Sequence, residues 1–231
     1  MYSAVVLAGG KGSRFGGSTP KQYIPVLGRP LIYYSLVAFE RSKVSEVILV
    51  TDPADTEYIK SEILKKYGII KVAAFAPGGK ERYESVYNGL KCVNEDHVLI
   101  HDGARALITP EEIDLLCEAS DRTGAAIAAV KSTDTVKLTD GGDVISDTPS
   151  RSRVWCAMTP QAFETGLIKE AYGRLMADGD AALVTDDASV VERYTDREVS
   201  LIEVSHDNIK VTRPTDVVIV ESVLQMRGFQ A

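Results

Sequence analysis

The chain has 231 residues, 45% of them hydrophobic, and a formal net charge of −7; this suits one large α/β domain with a well-filled core and argues against a nucleic-acid-binding surface, though not against a local basic pocket. Its three cysteines, Cys92, Cys117 and Cys156, are too far apart to imply a disulfide framework or a zinc site. No apolar run reaches the roughly 18 residues that span a bilayer, and the N-terminus lacks the charged-then-apolar pattern of a signal peptide, so a reduced cytoplasmic enzyme is expected.

The first predicted element is a buried strand over residues 4–7. It empties into a loop holding Gly9, Gly10, Gly12, Gly16 and Gly17, with Arg14 and Lys21 set nearby. Glycine lets backbone N–H groups wrap an anion, and the two cations supply charge to hold a polyphosphate. Two commoner phosphate loops do not fit. A P-loop needs Gly-Lys followed by Ser or Thr, whereas Gly10-Lys11 is followed by Gly12. The dinucleotide fingerprint matches at Gly10 and Gly12 but meets Phe15 where its third Gly or Ala is required. A glycine-rich turn that merely closes a strand is the plain alternative. The pairing of two cations with five glycines favours a nucleotide site.

Strands and helices then alternate. Residues 46–51 read as a strand, and residues 56–67 as a helix with Ile59, Ile63, Lys66 and Tyr67 at helical spacing. A strand at 72–75 is followed by Pro77-Gly78-Gly79-Lys80-Glu81-Arg82-Tyr83-Glu84-Ser85, a turn that admits a flat base or a ribose against bare backbone. The strand at 97–100 leads to His101-Asp102-Gly103-Ala104-Arg105. Thr109-Pro110-Glu111-Glu112 is a capping box opening a helix that carries Ile113, Leu116 and Cys117. The strand at 125–130 runs into Lys131-Ser132-Thr133-Asp134-Thr135. Between Val130 and Ala157 the alternation breaks: residues 135–138 and 144–145 flank Thr139-Asp140-Gly141-Gly142-Asp143 and read as a β-hairpin. Such a hairpin has little core of its own, so it is expected to form an arm packing on another subunit. A last strand, 199–204, leads to Asp207-Asn208-Ile209-Lys210-Val211-Thr212.

Continuous apolar strands between amphipathic helices imply a mostly parallel sheet covered on both faces. Ligands of such sheets bind at the carboxyl ends of the strands. Each polar segment there has a plain reading: His101 as a neutral hydrogen-bonded core histidine, Asp102 and Arg105 as a local ion pair, Thr185-Asp186-Asp187 as a helix N-cap with acids in its first turn, Lys210 and Arg213 as surface cations. Against these readings jointly, Arg14, Lys21, Arg105 and Lys210 all fall on the predicted ligand-bearing edge.

Leu-Ala-Gly-Gly-Lys-Gly-Ser-Arg with Pro20-Lys21-Gln22-Tyr23 resembles the signature of sugar-phosphate nucleotidyltransferases. Gly78-Gly79 with Arg82 and Ser85-Val86, the 101–105 motif, Asp134-Thr135-Val136-Lys137, Thr159-Pro160-Gln161, Thr185-Asp186 and Asn208-Ile209-Lys210-Val211-Thr212 narrow it. In order, from residue 4 to about residue 216, the series is similar to the 2-C-methyl-D-erythritol 4-phosphate cytidylyltransferase family, with ribitol-5-phosphate cytidylyltransferase a close relative. The resemblance implies a Rossmann-like three-layer α/β nucleotidyltransferase fold: one domain over 1–231, with residues 131–157 as a projecting dimerisation arm. It implies transfer of CMP from CTP to 2-C-methyl-D-erythritol 4-phosphate, or alternatively to ribitol 5-phosphate or another sugar phosphate, with release of pyrophosphate, Mg²⁺ or another divalent cation as cofactor with unassigned protein ligands, and a homodimer.

By position, Arg14, Lys21 and Lys210 are the implied catalytic residues. Leu7, Ala8, Gly9, Gly10, Gly12, Ser13, Gly78, Gly79 and Ser85 would cradle the nucleotide. Asp102, Arg105, Thr135, Arg151 and Thr159 would surround the sugar phosphate, with Thr135 and Arg151 reaching the partner subunit's site. The chain departs from the family's more usual Pro-Ala-Ala-Gly at Leu7-Ala8-Gly9-Gly10, and from His-Asp-Ala-Ala-Arg-Pro at residues 101–106. Ala106 in place of proline is expected to loosen the loop after Arg105 and to bear on sugar specificity. A phosphate monoester has a second pKa near ~6, so the attacking oxygen is already largely dianionic at pH 7 and no general base is required.

Overall fold

Short apolar, largely β-branched runs form the strands of the protein, a computed structural model that describes residues 1–10, 20–182 and 184–230. In chain order the strands are β1 (Tyr2–Leu7), β2 (Pro25–Val26), β3 (Arg29–Pro30), β4 (Glu46–Thr51), β5 (Val72–Pro77), β6 (His97–Asp102), β7 (Ala125–Lys131), β8 (Leu138–Thr139), β9 (Ile145–Asp147), β10 (Trp155–Glu164) and β11 (Ser200–Glu203). The helices are α1 (Leu31–Glu40), α2 (Thr56–Tyr58, running on as a π-helix over Ile59–Lys65), α3 (Arg82–Leu90), α4 (Pro110–Thr123), α5 (Thr165–Asp178), α6 (Asp187–Tyr194) and α7 (Pro214–Met226).

The main sheet has seven strands in the order β11-β7-β10-β6-β1-β4-β5. All neighbours are parallel except β10, which runs antiparallel to both β6 and β7. The chain leaves β7, makes the β8–β9 excursion, and returns beside β7, which forces the reversed direction. Helices cover both faces, because β1 sends alternate side chains to opposite sides. Ala4 and Val6 pack with Leu36 and Phe39 of α1 and Ile113 and Leu116 of α4. Val5 packs on the other face with Val86 and Leu90 of α3, Tyr172 of α5 and Val190 of α6. A third cluster joins the β2–β3 hairpin and α1 to α7 through Val26, Leu31 and Leu224. The mostly parallel, doubly covered sheet is the one expected.

Local expectations fare unevenly. The capping box at Thr109 forms, with Thr109 Oγ1 accepting from the Glu112 N–H at 3.2 Å and Glu112 Oε2 accepting from the Thr109 N–H at 3.1 Å. Residues 97–100 extend through His101 and Asp102, which pair with Val6 and Leu7 of β1 despite their polarity. The β10 strand was not foreseen: Thr159-Pro160-Gln161 interrupts its apolar character, and its register with β7 shifts between Ala157 and Gln161. The hairpin is present, but as the shorter pair β8–β9 with Leu138 opposite Asp147 and Thr139 opposite Ile145. Its residues are exposed, Val144 to 82% and Ile145 to 57%. The loop after Arg105, expected to be loosened by Ala106, is packed: Ala106, Leu107 and Ile108 are buried, and the Arg105 carbonyl accepts from Ser35 Oγ at 3.3 Å.

The seat of α3 on the sheet offers a test with opposed signs. Gly89 is helical, so alanine there gains up to about 1 kcal/mol in helix propensity. A Cβ at this position would stand 2.5 Å from Val5 Cγ1 and 2.9 Å from Val50 Cγ2, both on stiff β-branched side chains. Overpacking of this kind costs about 1–3 kcal/mol, so Gly89→Ala is expected to lower stability in urea denaturation. A more stable variant would contradict the close approach of α3 to β1 and β4.

Candidate active site

The carboxyl ends of β1, β5 and β6 open into one cleft of about 850 Å³. Two glycine-bearing loops form one wall. The Ala8 N–H donates to the Val50 carbonyl at 2.7 Å and the Gly78 N–H to the Thr51 carbonyl at 3.0 Å, so both loops leave the sheet as continuations of its ladders. A Cβ on Gly9 would stand 3.4 Å from Gly78 Cα, and one on Gly78 would stand 3.6 Å from Gly9 Cα. The wall therefore presents bare backbone. Ser85 Oγ accepts from the Gly79 N–H at 2.9 Å, while Glu84 Oε2 accepts from the N–H groups of Lys80 and Glu81 at 2.6 and 3.1 Å. These bonds fix the turn before α3.

The opposite side is charged. Asp102, at the tip of β6, receives Arg82 Nε on Oδ1 at 3.1 Å and Lys210 Nζ on Oδ2 at 2.7 Å. Burial works against the Asp102 charge, but Arg82 and Lys210 outweigh it and hold the carboxyl well below the usual carboxylate range. Arg82 turns its fork away from the cleft, donating from Nη1 and Nη2 to the two oxygens of Asp187 at 2.9 and 2.8 Å. Burial opposes the Arg82 charge as well; the carboxylates of Asp187 and Asp102 overcome this and raise its pKa further. Asp187 is fully buried and also accepts from the Tyr172 hydroxyl at 2.6 Å.

Of the residues expected at the site, the cleft brings together Leu7, Ala8, Gly9, Gly10, Lys21, Gly78, Gly79, Ser85, Asp102 and Lys210. Gly12, Ser13 and Arg14 lie outside the described residues. Thr159 does not face the cleft: it is buried in β10, where its hydroxyl accepts from the Asp102 N–H at 3.0 Å. Arg105 is absent from the cleft lining and forms no ion pair with Asp102, whose two oxygens are taken by Arg82 and Lys210. Its Nη1 donates instead to the Asn208 carbonyl at 2.7 Å, and burial lowers its pKa. Thr135 and Arg151 are exposed at the base of the arm, joined to each other by Arg151 Nη2 to Thr135 Oγ1 at 3.2 Å, and are not among the residues lining this cleft. Lys210, for which a surface cation was the plain alternative, lines the cleft at the rim of the buried cluster.

Two residues of the charged cluster lie outside the expected set. Arg82 is among the residues lining the cleft, and Asp187 anchors it from α6. Asp186 does cap that helix, accepting from the Ser189 N–H at 2.9 Å; the second acid of the pair, more than a cap needs, was the available signal for Asp187. His101 follows its plain reading. Its Nε2 must donate to the Arg105 carbonyl at 3.3 Å, which leaves Nδ1 to accept from the Thr159 hydroxyl at 3.2 Å. Burial lowers its pKa to about 3, so it is a neutral core histidine. Among the described residues, no three His, Cys, Asp or Glu side chains converge as a metal cage, and Asp102 is committed to two cations.

The family model for 2-C-methyl-D-erythritol 4-phosphate cytidylyltransferase matches residues 2–226. The chain belongs to this cytidylyltransferase family. Among curated cytidylyltransferases of that name, the protein of Lachnoclostridium phytofermentans is 42% identical over 224 residues, covering 96% of either chain. That of Alkaliphilus oremlandii is 40% identical over 228 residues, covering 97% of this chain and 95% of its own. Among solved structures, the 4-diphosphocytidyl-2C-methyl-D-erythritol synthase of Anaerococcus prevotii superposes with a TM-score of 0.84 at 32% identity, covering 97% of this chain and 98% of its own. The cytidylyltransferase of Thermus thermophilus does so with a TM-score of 0.76 at 28% identity, covering 96% and 98%.

The buried histidine makes the stability of this cytidylyltransferase pH-dependent. His101 titrates near 6.5 when unfolded and near 3 when folded, so the unfolded chain takes up the proton first as pH falls. The stabilisation is complete above pH 6.5 and is lost progressively toward pH 3, at up to about 1.4 kcal/mol per pH unit. Asp102 adds its own loss only below its ordinary range. Urea midpoints at pH 7, 6, 5 and 4 are expected to fall steeply for the wild type and less steeply for His101→Gln; equal slopes would contradict a neutral buried His101.

Proposed function

We propose that this enzyme transfers CMP from CTP to 2-C-methyl-D-erythritol 4-phosphate and releases pyrophosphate. The observation that carries the reading is the pairing, across one cleft, of a bare backbone wall at Gly9 and Gly78 with the cations Lys21 and Lys210. The wall takes the base and ribose of CTP against Gly78, Gly79 and Ser85, and Leu7, Ala8, Gly9 and Gly10 lead the triphosphate toward Lys21. Gly12, Ser13 and Arg14 belong to the same phosphate loop in this reading. The sugar phosphate enters from the charged side, where Asp102 holds Lys210 in place. Arg105 and Thr159 act from behind this surface, Thr159 by fixing the Asp102 backbone.

The chemistry requires no proton acceptor from the protein. The attacking phosphate oxygen is already largely dianionic at neutral pH. His101 is buried and engaged at both nitrogens, so it is not asked to serve as a base. Arg14, Lys21 and Lys210 neutralise the charge that builds on the α-phosphate and the departing pyrophosphate, the kind of preorganised donor that carries most phosphoryl-transfer catalysis. A divalent cation such as Mg²⁺, held chiefly by the triphosphate, adds further charge neutralisation when bound.

Residues 1–231 act in this reading as one nucleotidyltransferase domain, with residues 131–157 as an arm that exchanges with a second copy. The exposure of Val144 and Ile145, apolar residues with no cover of their own, supports a homodimer in which Thr135 and Arg151 serve the partner's cleft. The enzyme works where CTP is made and used, in the cytoplasm.

Pyrophosphate release is expected only when CTP, Mg²⁺ and 2-C-methyl-D-erythritol 4-phosphate are all present; release with ribitol 5-phosphate alone would reassign the substrate. Lys21→Ala and Arg14→Ala are each expected to lower kcat by about 100-fold or more, the scale of a lost transition-state donor. Near-normal turnover in either variant would sink the assignment. Exchange of the arm has its own check. Co-expressed Lys21→Ala and Arg151→Ala chains are expected to regain about a quarter of wild-type activity, because half the dimers are hybrids and each hybrid rebuilds one intact site. No recovery would place Arg151 in its own subunit's site, and full activity of Arg151→Ala alone would place it outside any site.

A further inference from the structure

Four side chains form an alternating line of charge from the core to the cleft. Asp187, fully buried at the start of α6, takes both terminal nitrogens of Arg82. This leaves Nε of Arg82 for one oxygen of Asp102, at 3.1 Å, and the other oxygen for Lys210, at 2.7 Å. Two acids and two bases alternate along the line. The geometry is restrictive. A guanidinium fork prefers to bind a single carboxylate through two parallel bonds, and here Asp187 occupies that fork.

We infer that Asp187 is a positioning residue for the transfer reaction: by holding the Arg82 fork, it keeps one Asp102 oxygen available to fix Lys210. Without the Asp187 charge, the fork is free to turn onto Asp102 and take both of its oxygens. Lys210 Nζ then loses its anchor. The glycine loops that receive CTP, Gly9–Gly10 and Gly78–Gly79, have no part in this line and keep their own hydrogen bonds. The defect therefore falls on the step that uses Lys210 and spares nucleotide binding. Tyr172 marks the difference from a purely structural role. It also bonds Asp187, at 2.6 Å, and is as deeply buried, but its loss leaves both Arg82–Asp187 bonds in place.

The inference rests on the proposed placement of the sugar phosphate at Lys210, and the test separates the two. Asp187→Asn keeps the shape and removes the charge. It is expected to lower kcat/KM for 2-C-methyl-D-erythritol 4-phosphate by about 10-fold or more, while the Kd for CTP by calorimetry stays within about threefold. In a Lys210→Met background the same substitution is expected to cost less than about twofold, as residues acting through one another do. Tyr172→Phe is expected to lower Tm yet leave kcat/KM within about threefold. Should Asp187→Asn not fold, Asp187→Ser, which likewise removes the charge that holds the Arg82 fork, is expected to give the same selective loss.

Equal losses in CTP affinity and kcat/KM, or a full loss that persists in Lys210→Met, would overturn the inference. An inactive wild type would instead overturn the functional reading. The positioning role would still be decided by the crystal structure of Asp187→Asn: the Arg82 fork on Asp102 with Lys210 displaced supports it, and an unchanged Lys210–Asp102 contact refutes it.

Discussion

A carboxylate at the tip of β6 organises this site. Asp102 gathers three segments that are distant in sequence: the start of α3 through Arg82, its own strand, and the loop after β11 through Lys210. Desolvating charges is costly, and a buried pair is tolerated only when its hydrogen bonds are met. Asp102 satisfies this with a cation on each oxygen and the Thr159 hydroxyl on its backbone N–H. Removing one member of such a cluster leaves an uncompensated charge, at a cost of about 3–5 kcal/mol. The same contacts that close the sheet's ligand-bearing edge thus set where the site cations stand.

The cleft divides its work between two kinds of wall. Glycine backbone, held by Glu84 and Ser85, offers space without side chains. The charged wall offers fixed cations, since Asp187 and Asp102 hold Arg82 and Lys210. An incoming polyanion then meets Lys21 and the far side of Lys210 without having to neutralise a buried acid first. Membership in a cytidylyltransferase family fits this division, because phosphoryl transfer asks for placement and charge more than for an acid or base.

What could be read from the chain follows the range of each interaction. The strand over residues 4–7, its glycine loop and the Thr109 capping box are local patterns, and each was legible. The seven-stranded sheet was legible as a class, but β10 was hidden because Pro160 and Gln161 break its apolar run at the register shift. Arg82 stands in a motif that shows no role for it in sequence, since its partners Asp102 and Asp187 lie 20 and 105 residues away. Thr159 was assigned to the sugar phosphate from its motif, which carries no information about which side of the strand it faces. The Asp102–Arg105 pair, suggested by proximity in sequence, gives way to Arg82 and Lys210, which reach Asp102 from other segments.

In the proposed reaction the cleft joins CMP to a sugar phosphate through a new diphosphate bridge. Phosphorus NMR of a mixture of the enzyme, CTP, Mg²⁺ and 2-C-methyl-D-erythritol 4-phosphate follows that bridge as it forms. Two coupled resonances of an unsymmetrical diphosphate diester are expected, growing in step with free pyrophosphate. A spectrum in which the monoester persists unchanged, or in which CTP yields only inorganic phosphate, would contradict the proposed reaction.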